Sequence, residues 1–209
     1  MKRVIVYCEG PTEETFVNRL LAPIFYPNNI FLSASSCNGV SKYSIIKKDL
    51  KVLCSNDRTA IITTMLDYYA FPSDAPGMQN NANTDIYSKV QFVEDAIKAD
   101  IGANNLIPNL MLHEFEALLF SRPECFSYCG LPQRKLQELC DIRAKVETPE
   151  HINNNPSTAP SKRILSLYPA YSKFLDGYNI AEDIGIDVMR SQCLHFNEWI
   201  NKLAKINEI

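Results

Sequence analysis

The sequence predicts an α/β fold, a mainly parallel sheet with helices on both faces, followed by a C-terminal helical extension. Three observations predict it. Short β-branched apolar runs alternate with segments of helical period as far as residue 120. Three of those runs end in ionisable side chains: Glu9, Asp67, and His113 with Glu114. From Arg122 onward the strand signal stops and only helical patterns remain. The expected organisation is therefore an α/β core over residues 1–121 and a helical extension over 122–209 packed on it.

The first run, Val4-Ile5-Val6-Tyr7-Cys8, has the composition of a strand covered on both faces. Gly10-Pro11 stops it, Thr12 is placed to cap a helix, and Glu13 and Glu14 suit a helix N-terminus electrostatically. On this stretch alone the helix dipole explains the two glutamates better than a metal site does. The following helix runs from Thr12 to Phe25, with Phe16, Val17, Leu20, Leu21, Ile24 and Phe25 on one face, and Pro27 ends it. A second strand covers Ile30 to Ser36 and closes at Cys37-Asn38-Gly39. Lys42 to Cys54 forms a helix with Ile45, Ile46, Leu50 and Leu53 inward. Its outer face holds Lys42, Lys47, Lys48 and Lys51, either a solvated surface or a phosphate-contacting one.

Thr59 to Asp67 repeats the logic of the first strand, an apolar run that delivers a carboxylate at its end. A long loop with Tyr68, Tyr69, Phe71 and several asparagines (Asn80, Asn81, Asn83) follows, its rings placed to stack on a ligand or to pack the loop down. Asp85 to Asp100 is the third helix, with Ile86, Val90, Val93 and Ile97 inward. Leu106 to Leu112 is a further strand, and Ala117 to Phe120 begins a helix. In a parallel sheet the ends bearing Glu9, Asp67 and His113-Glu114 lie along one edge, where open α/β sheets place their sites. The extension reads as helices over Gln133–Val146, Ser161–Tyr168, Ala170–Asp176 and Asp187–Ile206. Between the first two lies a Pro- and Asn-rich loop from Thr148 that ends in Ser161-Lys162-Arg163. That triplet is either a phosphate clamp at a helix N-terminus or an ordinary capped start with surface cations.

A formal net charge of -3 excludes a global nucleic-acid footprint, so any such binding must come from a local patch. No stretch approaches a membrane span, and Met1-Lys2-Arg3 leads straight into a strand, which points to the cytoplasm. The seven cysteines are odd in number, without Cys-x-x-Cys pairs or finger-like histidines, which argues against zinc and against a disulfide framework. Cys8, inside a strand, is placed to be an inert buried thiol and not a nucleophile.

Glu9-Gly10-x-Thr12-Glu13 after a buried strand, with Asp67 after another, resembles the TOPRIM domain of topoisomerases, primases and OLD-type nucleases. The whole chain looks like a bacterial domain-of-unknown-function family of TOPRIM-like proteins. Asp67-Tyr68-Tyr69, His113-Glu114-Phe115-Glu116-Ala117-Leu118-Leu119-Phe120, Pro149-Glu150-x-Ile152-Asn153 and Pro160-Ser161-Lys162-Arg163 carry that likeness. The resemblance implies a TOPRIM-like (Rossmann-like) fold and a Mg²⁺- or Mn²⁺-dependent phosphodiesterase acting on nucleic acid. It implies Glu9 as acid/base or metal ligand, Asp67 as metal ligand, and Glu13, Glu114 or Glu116 as further ligands. In that chemistry His113 would be an acid/base, and Lys162 with Ser161 and Arg163 would hold phosphate. The pattern departs at Tyr69, where the resemblance calls for a second aspartate. A non-catalytic module binding nucleic acid, a nucleotide or a partner ATPase is the alternative. Relatives sit beside ATPases in phage-defence or mobile-element settings and often form homodimers, which is expectation by resemblance.

Overall fold

The computed structural model describes residues 1–37, 39, 42–69, 71–79, 81–152 and 157–208. Asn38, Ala70, Asn80, Asn153, Asn154, Asn155 and Pro156, which the sequence reading gives to loops or to the Pro-Glu-x-Ile-Asn motif, lie outside them. The chain divides into two compact units, one of Met1–Met111 with Lys202–Ile209 and one of Leu112–Asn201.

The first unit is built on β1 (Lys2–Cys8), β2 (Ile30–Ser36), β3 (Ile61–Asp67), β4 (Leu106–Ile107) and β5 (Leu110–Met111), all parallel. The strand order is β2-β1-β3-β4, with β5 also pairing with β3. β1 is hydrogen-bonded on both sides, and Val4, Val6 and Cys8 are wholly buried, as its β-branched composition requires. The connection from β1 to β2 steps one way along the sheet and that from β2 to β3 steps back across β1. Right-handed crossovers then place the helices of the two connections on opposite faces.

The first connection is a continuous helical run whose pitch changes along its length. It is α-helical over α1 (Pro11–Thr15), π-helical over Phe16–Leu21, and 3₁₀ over Ala22–Asn28. Asn29, left-handed at φ 55°, ends it two residues after Pro27. The change of pitch rotates the apolar stripe, so Phe16, Val17, Leu21 and Phe25 are buried while Ile24 turns outward.

The second and third connections carry α2 (Tyr43–Asn56) and α3 (Ile86–Ile101). In α2 the buried positions are Tyr43, Ile46, Leu50 and Cys54, whereas Ile45 is half-exposed, so the inner stripe lies one residue away from the expected Ile45. Tyr43 Oη donates to Asp100 at 2.9 Å and Tyr7 Oη to Asp49 at 2.8 Å, which ties α2 to α3 and to β1. Asp85 caps α3 through the Ser88 N–H, and Gly102 at φ 70° ends it.

The expected single strand from Leu106 to Leu112 is two short ones. Pro108 has no N–H to give a ladder. At the interruption the buried Thr64 hydroxyl substitutes for a strand partner. It accepts from Asn109 N at 2.9 Å and donates to Asn109 O at 2.6 Å. Glu94, buried in α3, accepts from Leu110 N at 2.7 Å and starts β5.

The second unit is helical. It contains α4 (Glu116–Leu119), α5 (Gln133–Ala144), α6 (Pro160–Leu167), α7 (Tyr178–Ile184), α8 (Ile186–Gln192) and most of α9 (Leu194–Ala204), with 3₁₀ turns at Pro123–Cys129 and Pro149–His151. A π-helical turn at Lys173–Gly177 leads into α7, later than the expected helix over Ala170–Asp176. Phe115, Phe120, Phe126, Phe196 and Trp199 are its large buried side chains. The expected helix from Asp187 to Ile206 is broken at Cys193, which is extended at φ -118° and ψ 103°. The break is held by Glu150, whose buried carboxylate accepts from His195 N at 3.1 Å and Phe196 N at 3.0 Å. A side chain 45 residues distant thereby satisfies two of the amide donors that open α9.

Two buried polar devices thus replace missing backbone pairing, and each is testable by urea denaturation. Thr64→Val keeps the volume but leaves Asn109 N–H and C=O unsatisfied, and is expected to lower stability by about 1–3 kcal/mol. Glu150→Gln leaves one of the two amides at the start of α9 without its acceptor, with an expected loss also of about 1–3 kcal/mol.

Candidate functional site

The sequence-expected site residues fall into two groups, one in each unit. In the first unit the order β2-β1-β3-β4 reverses direction between β1 and β3. The crevice beyond the carboxyl ends of those two strands is where an open α/β sheet presents a ligand site. Cys8 pairs with Met65, so Glu9 follows β1 at the level where β3 finishes with Asp67. The Asp67 N–H points at Glu9 Oε2 from 3.5 Å. Asp67 is buried and Glu9 half-buried, which puts two hard oxygen donors on adjoining strands with one face toward solvent.

The turn after Glu9 is shaped by its neighbours. Glu13 Oε2 accepts from Gly10 N at 3.1 Å, the back-reaching half of a capping box, and its side chain is buried. On the other side Gly39 N donates to the Glu9 carbonyl at 2.9 Å, and Cys37 N to the Cys8 carbonyl at 3.0 Å. Glu9 therefore stands on a turn held by both flanking segments. Glu14 is half-buried on α1, and Tyr69, two residues beyond Asp67, is half-buried. Cys8 is fully buried, and burial pushes its thiol far above the ordinary range, with the nearby Glu13 and Glu14 charges adding to it. That protonated thiol is no nucleophile. The seven cysteines are all free thiols.

In the second unit Glu114 and Glu116 go to different partners, as their spacing of two residues requires. Glu114 accepts from Ser161 N at 2.8 Å and Ser161 Oγ at 3.0 Å, so it caps the start of α6. The position that the sequence reading offers to a phosphate is filled by this carboxylate. Lys162 is exposed beside it, and Arg163 Nε donates to Thr158 O at 2.7 Å. Glu116 is buried and lies 3.5 Å from Lys173 Nζ, which also stands 5.8 Å from the centre of the Phe115 ring. Tyr171 is buried nearby, and burial, then the Glu116 charge, pushes its hydroxyl far up. Gly177 has no room for a Cβ, which would stand 2.8 Å from that hydroxyl.

His113 occupies the left-handed region at φ 68°, unusual outside glycine and asparagine, and is buried. Burial pulls its imidazole down to about 4, a hydrogen bond with the Glu150 backbone raises it part of the way back, and the His151 charge lowers it slightly. The ring is therefore neutral at neutral pH, able to accept a proton only well into the acid range.

Sequence reasoning missed Glu150, Tyr171 and Lys173. Glu150 lies in the Pro-Glu-x-Ile motif already noted, but its target helix start is remote in sequence. Nothing local marks Tyr171 and Lys173 as neighbours of Glu116. Among the described residues no group of three or more His, Cys, Asp or Glu side chains converges to hold a metal ion.

The His113 environment gives a pH dependence of defined sign. The unfolded imidazole takes a proton near pH 6.5 and the folded one near 4, so stability is full above 6.5 and falls as pH drops toward 4. The drop attributable to this group is about 3 kcal/mol. His113→Asn, which tolerates the same backbone, is expected to remove that portion in urea melts compared at pH 7 and pH 4.5.

No curated protein matches the chain. No helix among the described residues is long and apolar enough to cross a membrane. Two solved structures align with it, both of the C-terminal region of the Xanthomonas campestris pv. campestris OLD protein, one phased with mercury and one with iodine. They are 14% and 13% identical, at TM-scores of 0.46 and 0.44, over 97% of this chain and 98% and 97% of theirs. Residues 8–204 match the family model described as Domain of unknown function (DUF4276), and the chain belongs to that family.

Proposed function

We propose that the protein is a divalent-cation-dependent phosphodiesterase acting on nucleic acid, with Glu9 and Asp67 as its ion-binding carboxylates. One juxtaposition carries the reading: two carboxylates at the ends of adjoining parallel strands, at the point where strand order reverses. The donor set fits a hard cation. Magnesium is held by one or two carboxylates, with water and substrate phosphate filling the remaining positions, and needs no three-residue protein cluster. When bound, Mg²⁺ or Mn²⁺ supplies an activated water and neutralises charge on the phosphoryl group. Glu13, by fixing the Gly10 N–H, holds the turn that presents Glu9. The proposed site is confined to the first unit; Lys162, exposed at the start of α6, and Ser161, held by Glu114, belong to the second. Glu116 is assigned to its pairing with Lys173. His113, neutral at neutral pH and in the second unit, is given no part in this reading.

A second reading, a module that binds nucleic acid or a nucleotide without cleaving it, is favoured by Tyr69. A phenol two residues after Asp67 supplies no anionic oxygen at neutral pH. One experiment separates the readings: cleavage of mixed DNA and RNA substrates with Mg²⁺ or Mn²⁺, alongside Mn²⁺ binding by calorimetry. The expected result is cleavage by the wild type and a loss on the order of 100-fold or more in Glu9→Ala and in Asp67→Ala. Activity indifferent to both substitutions sinks the assignment. Substrate binding without cleavage under any metal selects the second reading.

A further inference from the structure

The outward face of α2 carries a row of side chains that nothing in the proposed chemistry uses. Tyr43, Ile46, Leu50 and Cys54 define its buried side. On its exposed side, flanking the exposed Ile45 and Val52, stand Ser44, Lys48, Lys51 and Ser55 at intervals of four, three and four residues. Lys42 at the N-cap and Arg58 just past the C-terminal end are exposed as well. Over the helix alone the row is about 16 Å long.

The row holds no acid, and the reason is structural. Asp49 turns inward and accepts from Tyr7 Oη at 2.8 Å. Asp57 pairs with Arg3 at 2.7 Å and accepts from Thr59 N and Oγ1. Asp100, on α3, accepts from Lys47 at 2.7 Å and from Tyr43, with Lys51 adding only a smaller through-space pull. Among the described residues Lys48 and Arg58 appear in no ion pair, unlike Lys47 and Arg3. Between Lys42 and Arg58 there are five cations and two acids, in a chain whose formal net charge is -3. Helix-dipole compensation explains Arg58, near the carbonyl end of α2, but not Lys48 in mid-helix.

We propose that this row binds the sugar–phosphate backbone of the nucleic acid. Lysine, arginine and serine hydroxyls are the side chains that contact phosphate, and an acid-free row presents them to a polyanion without internal competition. Contacts of this kind carry no sequence information, so the surface is indifferent to base sequence. The inference rests on the nucleic-acid substrate proposed above, but uses none of its ion-binding residues.

The test is fluorescence anisotropy with labelled single- and double-stranded oligonucleotides, on the full chain in EDTA so that neither metal nor cleavage enters. Lys48→Glu/Lys51→Glu and the milder Lys48→Gln/Lys51→Gln are compared with wild type and with a control, Arg134→Glu/Lys145→Glu, in the second unit. The expected result for the α2 variants is at least about 10-fold weaker binding and a salt-dependence slope smaller by about 2, with the control unchanged. Equal weakening by the control, an unchanged slope, or no oligonucleotide binding by the wild type overturns the surface. A cleavage assay on the same proteins keeps the two proposals apart. α2-dependent binding with no cleavage leaves the surface standing and removes the phosphodiesterase. Cleavage that needs Glu9 and Asp67 but not the lysines does the reverse.

Discussion

The first unit depends on the double pairing of β1. Because β1 is bonded to β2 on one side and to β3 on the other, its carboxyl end has two neighbours of fixed register. That register puts Glu9 beside Asp67, and it fixes Cys37 and Gly39 against the opposite side of the same turn. It also creates the reversal of strand order, because β2 and β3 lie on opposite sides of β1. A one-residue slip of β1 would turn Val4, Val6 and Cys8 toward the other face, so burial on both sides holds the register firm. The geometry of the candidate site is thus a consequence of core packing.

Much of the acidic content serves the backbone. Glu13 accepts from Gly10 N, Glu94 from Leu110 N, Glu114 from Ser161 N, and Glu150 from His195 N and Phe196 N. Each stands where a helix begins or a strand restarts, the places where backbone donors lose their partners. A carboxylate placed there satisfies the irregular backbone with charge-assisted hydrogen bonds. This division of labour narrows the chemistry. Of the acids that a sequence search gathers as ligands, Glu9 and Asp67 are placed by strand ends, while Glu13 and Glu114 answer to local backbone geometry.

The legible parts of the fold were those decided by local pattern. Ile30–Ser36 coincides with the expected second strand, and Asp85 marks the start of α3 as its capping chemistry implies. Pro108 was visible within the run from Leu106 to Leu112, yet the repair by Thr64 was not, since its partner is 45 residues away. The same limit hid the break at Cys193. Met189, Cys193, Phe196 and Leu203 keep an apolar period across it, and only a remote carboxylate interrupts the helix. The misplaced Ile45 and Ile24 have a different origin: a shift of one residue, or a change from α to π pitch, rotates a stripe without altering its composition. In the candidate site the strand-end positions of Glu9 and Asp67 were readable from hydrophobic runs alone. The partners of Glu114, Glu116 and His113 were not, because each is set by tertiary contact.

The exposed row on α2 follows from the same tertiary logic. Tyr7 on β1 and Tyr43 on α2 each present a phenol to an acid, and burial keeps both phenols protonated by pushing their titration far up. Each donates one hydrogen bond, Tyr7 to Asp49 and Tyr43 to Asp100. Lys47 completes the arrangement by pairing with Asp100, whose carboxyl it holds below the usual range. The packing that attaches α2 to the sheet and to α3 therefore engages these two acids with Tyr7, Tyr43 and Lys47, and Lys48 is in no ion pair among the described residues. A helix that merely needed solubility would be served as well by alternating charges. What the packing leaves outside is a single-sign face on an acidic protein, and that is an electrostatic surface suited to a polyanion.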